Sequence, residues 1–222
     1  GDCLHHLGGD EFVTISDNGL FQRLNLATGE MRTRQAWNES RTGMGIQFLK
    51  KIPSRQTAVG AHFINMQVFT VDVAGRRSVS SLGKISHFGG QVNCACCLDG
   101  VVYLASYGRA VLYAFDPDRP FEFGTNPRVL GCLGEEQNRP VAAVTDGRRV
   151  YVATKAGYGK LGGAIGVYDP ATGKIATVRH VVPDQNLNSL FYHAASKCLV
   201  GTSETYGDCR TRAARAESAV VF

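Results

Sequence analysis

Tryptophan is nearly absent from this chain: Trp37 is the sole example among 222 residues. Long apolar runs are missing altogether. No stretch approaches the roughly 18 apolar residues of a membrane-crossing helix, so no helical span is expected. Concentrated charge of one sign is missing too. Lys and Arg total 24 against 19 Asp and Glu, a net charge of only +5, and the cations are scattered. That distribution argues against a dedicated nucleic-acid surface, and the basic loop of Arg210, Arg212 and Arg215 lacks the interleaved aromatics that would reverse the reading.

Compact catalytic motifs are scarce as well. The segment from Gly157 to Gly163 is glycine-rich, yet Leu161 follows Lys160 where a phosphate cradle carries Ser or Thr. It reads as a hairpin loop. Ser78, Ser80 and Ser81 lack the strand-turn-helix setting of an activated nucleophile. His62, His87, His180 and His193 do not share a local metal-binding spacing, so no cofactor is expected and only a metal assembled from distant segments stays open. Seven cysteines form an odd set: Cys3, Cys94, Cys96, Cys97, Cys132, Cys198 and Cys209. A chain this long needs no disulfide scaffold. Cys94, Cys96 and Cys97 fall inside an expected strand, the first two on one face, and read as small buried hydrophobes. Cys198 and Cys209 can pair across a loop in an oxidising compartment. No signal-peptide pattern heads the chain, but it begins at Gly1, where processing can have removed one, so secretion and the cell surface stay open.

What is present in quantity is the material of short strands and turns: 26 Gly, with many Val, Tyr and Phe. The segment Pro140 to Val182 displays one complete unit. Strands are expected at 141–145, 150–154, 163–168 and 174–179, with Asp146-Gly147 and Asp169-Pro170-Ala171-Thr172-Gly173 as turns. Such a unit cannot bury both faces alone and must stack on copies of itself. The polar turn after the third strand measures the repeat. It recurs at Asn25, Asp72, Asp116 and Asp169, separated by 47, 44 and 53 residues. The spacing predicts an all-β propeller of four-stranded antiparallel blades, near 1–36, 37–83, 84–133, 134–182 and 183–222, forming a single domain or a portion of one. The fifth copy reaches its third strand at 219–222 and lacks a fourth. Either residues Asp2 to Leu7 supply the missing strand and close a five-bladed ring, or further blades belong to a longer chain of roughly six to eight. The expectation leans to the second.

The phrases Asp146-Gly147-Arg148-Arg149-Val150-Tyr151-Val152-Ala153-Thr154 and Val167-Tyr168-Asp169-Pro170-Ala171-Thr172-Gly173-Lys174 resemble the WD40-like, quinoprotein-like superfamily of bacterial β-propellers. Gly159 to Ala164 and Val181 to Gln185 resemble it too, the latter as an inter-blade link. The resemblance implies a propeller fold and, through some relatives, action on or binding of polysaccharides. It stops short of the quinoprotein cofactor, since a Trp-rich motif is missing and Trp37 stands alone.

Repeated positions of a propeller converge in space, so residues some 45 apart can share a site. The links into the innermost strands carry Arg41, His87, Arg139 and Gln185, and the second strands end at Tyr107, Arg109, Lys155 and Tyr158. Arg41, Arg109, Arg139 and Lys155 suit an acidic sugar, because guanidinium groups grip carboxylates in pairs. Tyr158 can stack on a sugar ring, Gln185 can add a hydrogen bond, and His87 or Tyr107 is the candidate base for β-elimination of a uronate polysaccharide. The same polar groups can instead satisfy loop backbone. The competing expectation is therefore a non-catalytic scaffold for protein partners, to which the insertion at Phe121-Glu122-Phe123 would contribute.

Overall fold

The computed structural model describes residues 5–15, 20–35, 45–53, 55–74, 78–208 and 218–222. Arg41, Trp37, Cys3, Cys209, the basic loop at Arg210, Arg212 and Arg215, and residues 2–4 of the postulated closing strand lie outside the described residues. Among those described there is no α-helix, and every sheet is antiparallel, with sequence neighbours adjacent. The first blade is β1 (His5–Gly8), β2 (Glu11–Ile15), β3 (Leu20–Asn25) and β4 (Met31–Gln35). The second is β5 (Ile46–Lys51), β6 (Thr57–His62), β7 (Gln67–Asp72) and β8 (Val79–Lys84). The third comprises β9 (Gln91–Leu98), β10 (Val101–Tyr107), β11 (Val111–Phe115) and β12 (Arg128–Cys132). The fourth comprises β13 (Gln137–Thr145), β14 (Val150–Ala156), β15 (Ala164–Asp169) and β16 (Lys174–Arg179), and the fifth holds β17 (Asn186–His193) and β18 (Cys198–Glu204). The expected fold class is the observed one. His5–Gly8 pairs with β2 as the first strand of the first blade.

The turn that measured the repeat works by one physical device. In each of the first four blades, the residue ending or directly following the third strand turns its side-chain oxygen back onto a backbone N–H two or three residues on. Asn25 accepts from Thr28 at 3.0 Å, Asp72 from Ala74 at 3.0 Å, Asp116 from Asp118 at 2.9 Å and Asp169 from Ala171 at 3.0 Å. A short acceptor side chain here replaces a missing ladder bond, so Asn or Asp recurs.

The chain divides into two compact units, Gly1–Val92 and Asn93–Phe222. In the first, Val13, Phe21, Ile46, Phe69 and Val71 form the core between the two blades. Gly60 is required there, because a Cβ would stand 2.4 Å from the Phe69 ring. His62 lies half-buried with its ring 5.0 Å from that of Phe69, and burial lowers its pKa below the ordinary 6.5. The unfolded chain therefore takes up this proton more readily than the fold does, and stability present above about pH 6.5 is lost as the pH falls from there toward the lowered value. The expected outcome is a lower melting temperature at pH 5.5 than at pH 7.5, with the drop reduced in His62→Phe. A drop of equal size in both proteins would count against this account.

In the second unit, Cys94, Cys96, Leu112, Val150 and Val152 belong to a core shared by the third and fourth blades. The two cysteines occupy the apolar face assigned to them, while Cys97 is only half-buried. Tyr103 packs 5.7 Å from Tyr168, and burial first, then that neighbour, pushes its hydroxyl up to about 12. A separate cluster of Ala153, Ile165, Leu187 and Leu190 joins the fourth and fifth blades. The fifth sheet has two strands, and where a third was expected at 219–222 the final residues meet β18 only at an isolated bridge of Val221 with Thr202: Phe222 and Gly201 exchange backbone bonds of 3.0 Å, and Ser203 N donates to Val220 O at 2.9 Å. Cys198 donates its Sγ–H to the Ser196 carbonyl; any pairing with Cys209 falls outside the described residues.

Two details differ from expectation. β13 begins at Gln137, four residues before the expected 141, because the ladder runs past Pro140 at a register shift where no N–H is needed. The insertion at 118–127 is ordered around Asn126, which is 3% exposed. Its Oδ1 accepts from Asp116 N at 2.8 Å, and its Nδ2 faces the carbonyls of Asp116, Arg119 and Pro120. Phe121 leans toward Phe115 at 6.3 Å between rings, while Phe123 is exposed.

Candidate functional site

In the fourth and fifth blades, the start of the innermost strand meets the end of the second strand. Gln137 and Gln185 are both nearly buried there. Thr154 donates its hydroxyl toward Gln137 Oε1 at 2.7 Å, and the Gln137 amide donates to the carbonyls of Glu135 and Gly162. Ser203 repeats this toward Gln185 Oε1 at 2.5 Å, and that amide donates to Ser218 O. The same hydroxyls also receive the N–H groups of Ala164, which opens β15, and of Val220. Gln91 and Ser106 stand at the corresponding sequence positions of the third blade, and both are buried. Gln185, expected on the ligand side, is thus engaged in tying β18 and Ser218 to the entry of β17.

Outside this lock lies a polar rim. Arg139 and Lys155 are directly opposed in the β13–β14 ladder. Two like charges in that position repel. Each is answered by a carboxylate from the end of β18 and the residues after it: Arg139 by Asp208 at 3.0 Å and Lys155 by Glu204 at 2.6 Å. All four side chains are less than a third exposed, so the pairs are only partly screened by water. The Arg139 guanidinium also lies over the Tyr107 ring, 4.4 Å from its centre, a cation–π contact. Tyr107 in turn hydrogen-bonds Tyr158 through the two hydroxyls. Arg109 follows on the same side. Its backbone N–H donates to Asn138 Oδ1 at 2.8 Å, and its φ of 66° places it in the left-handed region. Its side chain is exposed.

The structure thus gathers Tyr107, Arg109, Arg139, Lys155 and Tyr158 into one neighbourhood. His87 is exposed and belongs to the other unit, on the segment after β8. The sequence assigned no carboxylate partner to either cation, neither Asp208 to Arg139 nor Glu204 to Lys155. A signal for the second existed: Lys155 and Glu204 follow Thr154 and Ser203 at equivalent repeat positions and carry opposite charge.

No protein-family model matches the sequence, and no curated protein matches it. Among solved structures, the chain is similar to hydrazine synthase of Kuenenia stuttgartiensis, with a TM-score of 0.68 and 12% identity over 92% of this chain and 55% of that one. It is similar to U3-55K with the same TM-score and identity, over 99% of this chain and 66% of that one. The chain spans less than two thirds of the length of either. At that identity the likeness establishes the fold alone, and the WD40-like, quinoprotein-like resemblance is supported only as far as propeller-like blades.

Two of the rim's cations, Arg139 and Lys155, are neutralised by carboxylates, while Arg109 is exposed. The Tyr107 hydroxyl is raised above its ordinary pKa, first by the bond to Tyr158 and then by burial, with Arg139 opposing. A phenol held protonated is poorly prepared to abstract a proton. Among the described residues no group of three or more His, Cys, Asp or Glu can hold a metal ion. In the first unit a cleft lined by Glu11, Arg23, Asn25, Glu30 and Arg32 is likewise internally paired, Glu11 bonding Arg23 at 2.6 Å and Asn25 at 2.7 Å.

Proposed function

We propose that this chain is a non-catalytic propeller scaffold whose second unit presents a tyrosine-rich rim to a protein partner. The observation that carries the reading is the internal pairing of Arg139 with Asp208 and of Lys155 with Glu204. An acidic sugar would have to displace Asp208 to grip Arg139 and Glu204 to grip Lys155, and breaking such a pair leaves a charge uncompensated. What the rim offers without disruption is Tyr158, 52% exposed, and Tyr206, 54% exposed, beside the Arg139–Tyr107 stack. Large amphipathic rings supported by arginine are the composition of interface centres.

Replacing Tyr158 with a photo-crosslinking phenylalanine analogue in cells that make the protein tests the proposal. A defined protein adduct is expected, and Tyr158→Ala should weaken binding of that purified partner by about 2 kcal/mol, or roughly thirtyfold. A glycan array bearing neutral and acidic polysaccharides is run in parallel. Saturable binding of a uronate polysaccharide that disappears in Arg139→Ala would restore the carbohydrate reading and overturn this one.

A further inference from the structure

The first unit carries an exposed apolar surface of its own. Phe88 is 86% exposed, Ile64 51% and Phe63 43%. They stand on two loops, the β6–β7 connection and the segment after β8, and the loops are fastened to each other. Asn65 N donates to Gly90 O at 3.0 Å and Ile85 N to Met66 O at 3.0 Å, while Met66 itself is buried. Phe88 N donates to Ser86 Oγ, and Gln67 N to Asn65 Oδ1. Ile64, Asn65 and Met66 all have positive φ, 53°, 146° and 59°. A β-branched residue held in that region signals a loop whose shape is imposed by its surroundings. Exposed phenylalanines on braced loops lose little freedom when they bind.

The one formal charge on these two segments is positive, that of Lys84. Residues 62–67 and 84–91 contain Lys84, His62 and His87 and no Asp or Glu, and Lys84 sits opposite Gln67 in the β7–β8 ladder. We infer that this surface docks a peptide segment of a partner protein in which an acidic residue adjoins a large apolar one. Charge complementarity selects the acidic residue and Phe88 the apolar one. A lipid surface fits less well, since anchoring to anionic bilayers takes a cluster of roughly four to eight Lys or Arg, and these loops supply one.

A phage-displayed library of random peptides selected on the full chain tests the inference, with the selected peptides then titrated by fluorescence anisotropy. The expected sequences place Asp or Glu beside Phe, Trp, Leu or Met. Phe88→Ser should weaken them at least about tenfold, and Lys84→Glu about three- to tenfold at low salt and less at high salt. Tyr158→Ala should leave these peptides unaffected, which separates this surface from the rim. Selection without acidic enrichment, no selection at all, or affinities unchanged by Phe88→Ser would each overturn the inference. So would Phe88-dependent sedimentation of the chain with phosphatidylserine vesicles, which would assign the patch to lipid.

Discussion

Gly163→Ala should destabilise the unit Asn93–Phe222 by about 3 kcal/mol, the upper part of the range for forcing extra volume into a packed interior. A Cβ at this position would fall 2.5 Å from the carbonyl oxygen of Thr154 and 2.6 Å from the amide nitrogen of Leu187. Both obstacles are backbone, one on β14 and one on β17, and neither can rotate aside. The Gly163 N–H also donates to Gln185 O at 2.9 Å, so retreat of this segment would break the bond that joins the fourth blade to the fifth. Gly89→Ala is the control, with nothing within 4 Å of its added carbon. Urea denaturation should show a lower midpoint for Gly163→Ala with little change in slope, and almost no movement for Gly89→Ala. Equal midpoints for the two variants would refute the close approach.

The glutamine lock leads to a second large effect. Gln137→Leu removes the donor serving Gly162 O and Glu135 O and leaves the buried Thr154 hydroxyl without its amide acceptor. A loss of about 2 kcal/mol is expected, because stranding the buried Gly162 carbonyl out of water costs about 1 to 3 kcal/mol, while the Thr154 hydroxyl keeps the Ala164 carbonyl as an acceptor at 3.0 Å. Thr154→Val is nearly isosteric, yet it leaves Gln137 Oε1 and Ala164 N without the hydroxyl, at about 2 kcal/mol. The combination should cost less than the sum, by about 1 kcal/mol or more, since each change removes groups the other had orphaned. Strict additivity in the double-mutant cycle would show that the two side chains do not act together.

The repeat was legible because its turns are local. Asn25, Asp72, Asp116 and Asp169 each bond a backbone group within three residues, and such chemistry is written in consecutive letters. The strand Lys174–Arg179 matched its expected bounds for the same reason, lying between Gly173, with φ of 68°, and the positive-φ residue His180. The lock and the rim are long-range. Thr154 meets Gln137 across 17 residues, and Arg139 meets Asp208 across 69. Polarity at the loop ends was visible in the sequence. Which cation would already be paired was not, because that depends on where the segment after β18 returns. Convergence of Tyr107, Arg139 and Lys155 followed from topology alone, whereas the consumption of their charge required the carboxylates to be placed.

Asn126 has a consequence for what the chain can carry. One buried amide gathers the insertion's base, bonding Asp116 on one side and the carbonyls of Arg119 and Pro120 on the other. The loop's outer residues, Glu122 to Thr125, are exposed and close upon themselves through the bonds of Glu122 and Asn126. Strands β11 and β12 therefore sense the loop's stem and not its contents. Nature or an engineer can exchange the outer residues, lengthen them or graft a foreign epitope there at the small entropic cost of a longer closed loop, provided Asn126 stays as the clasp.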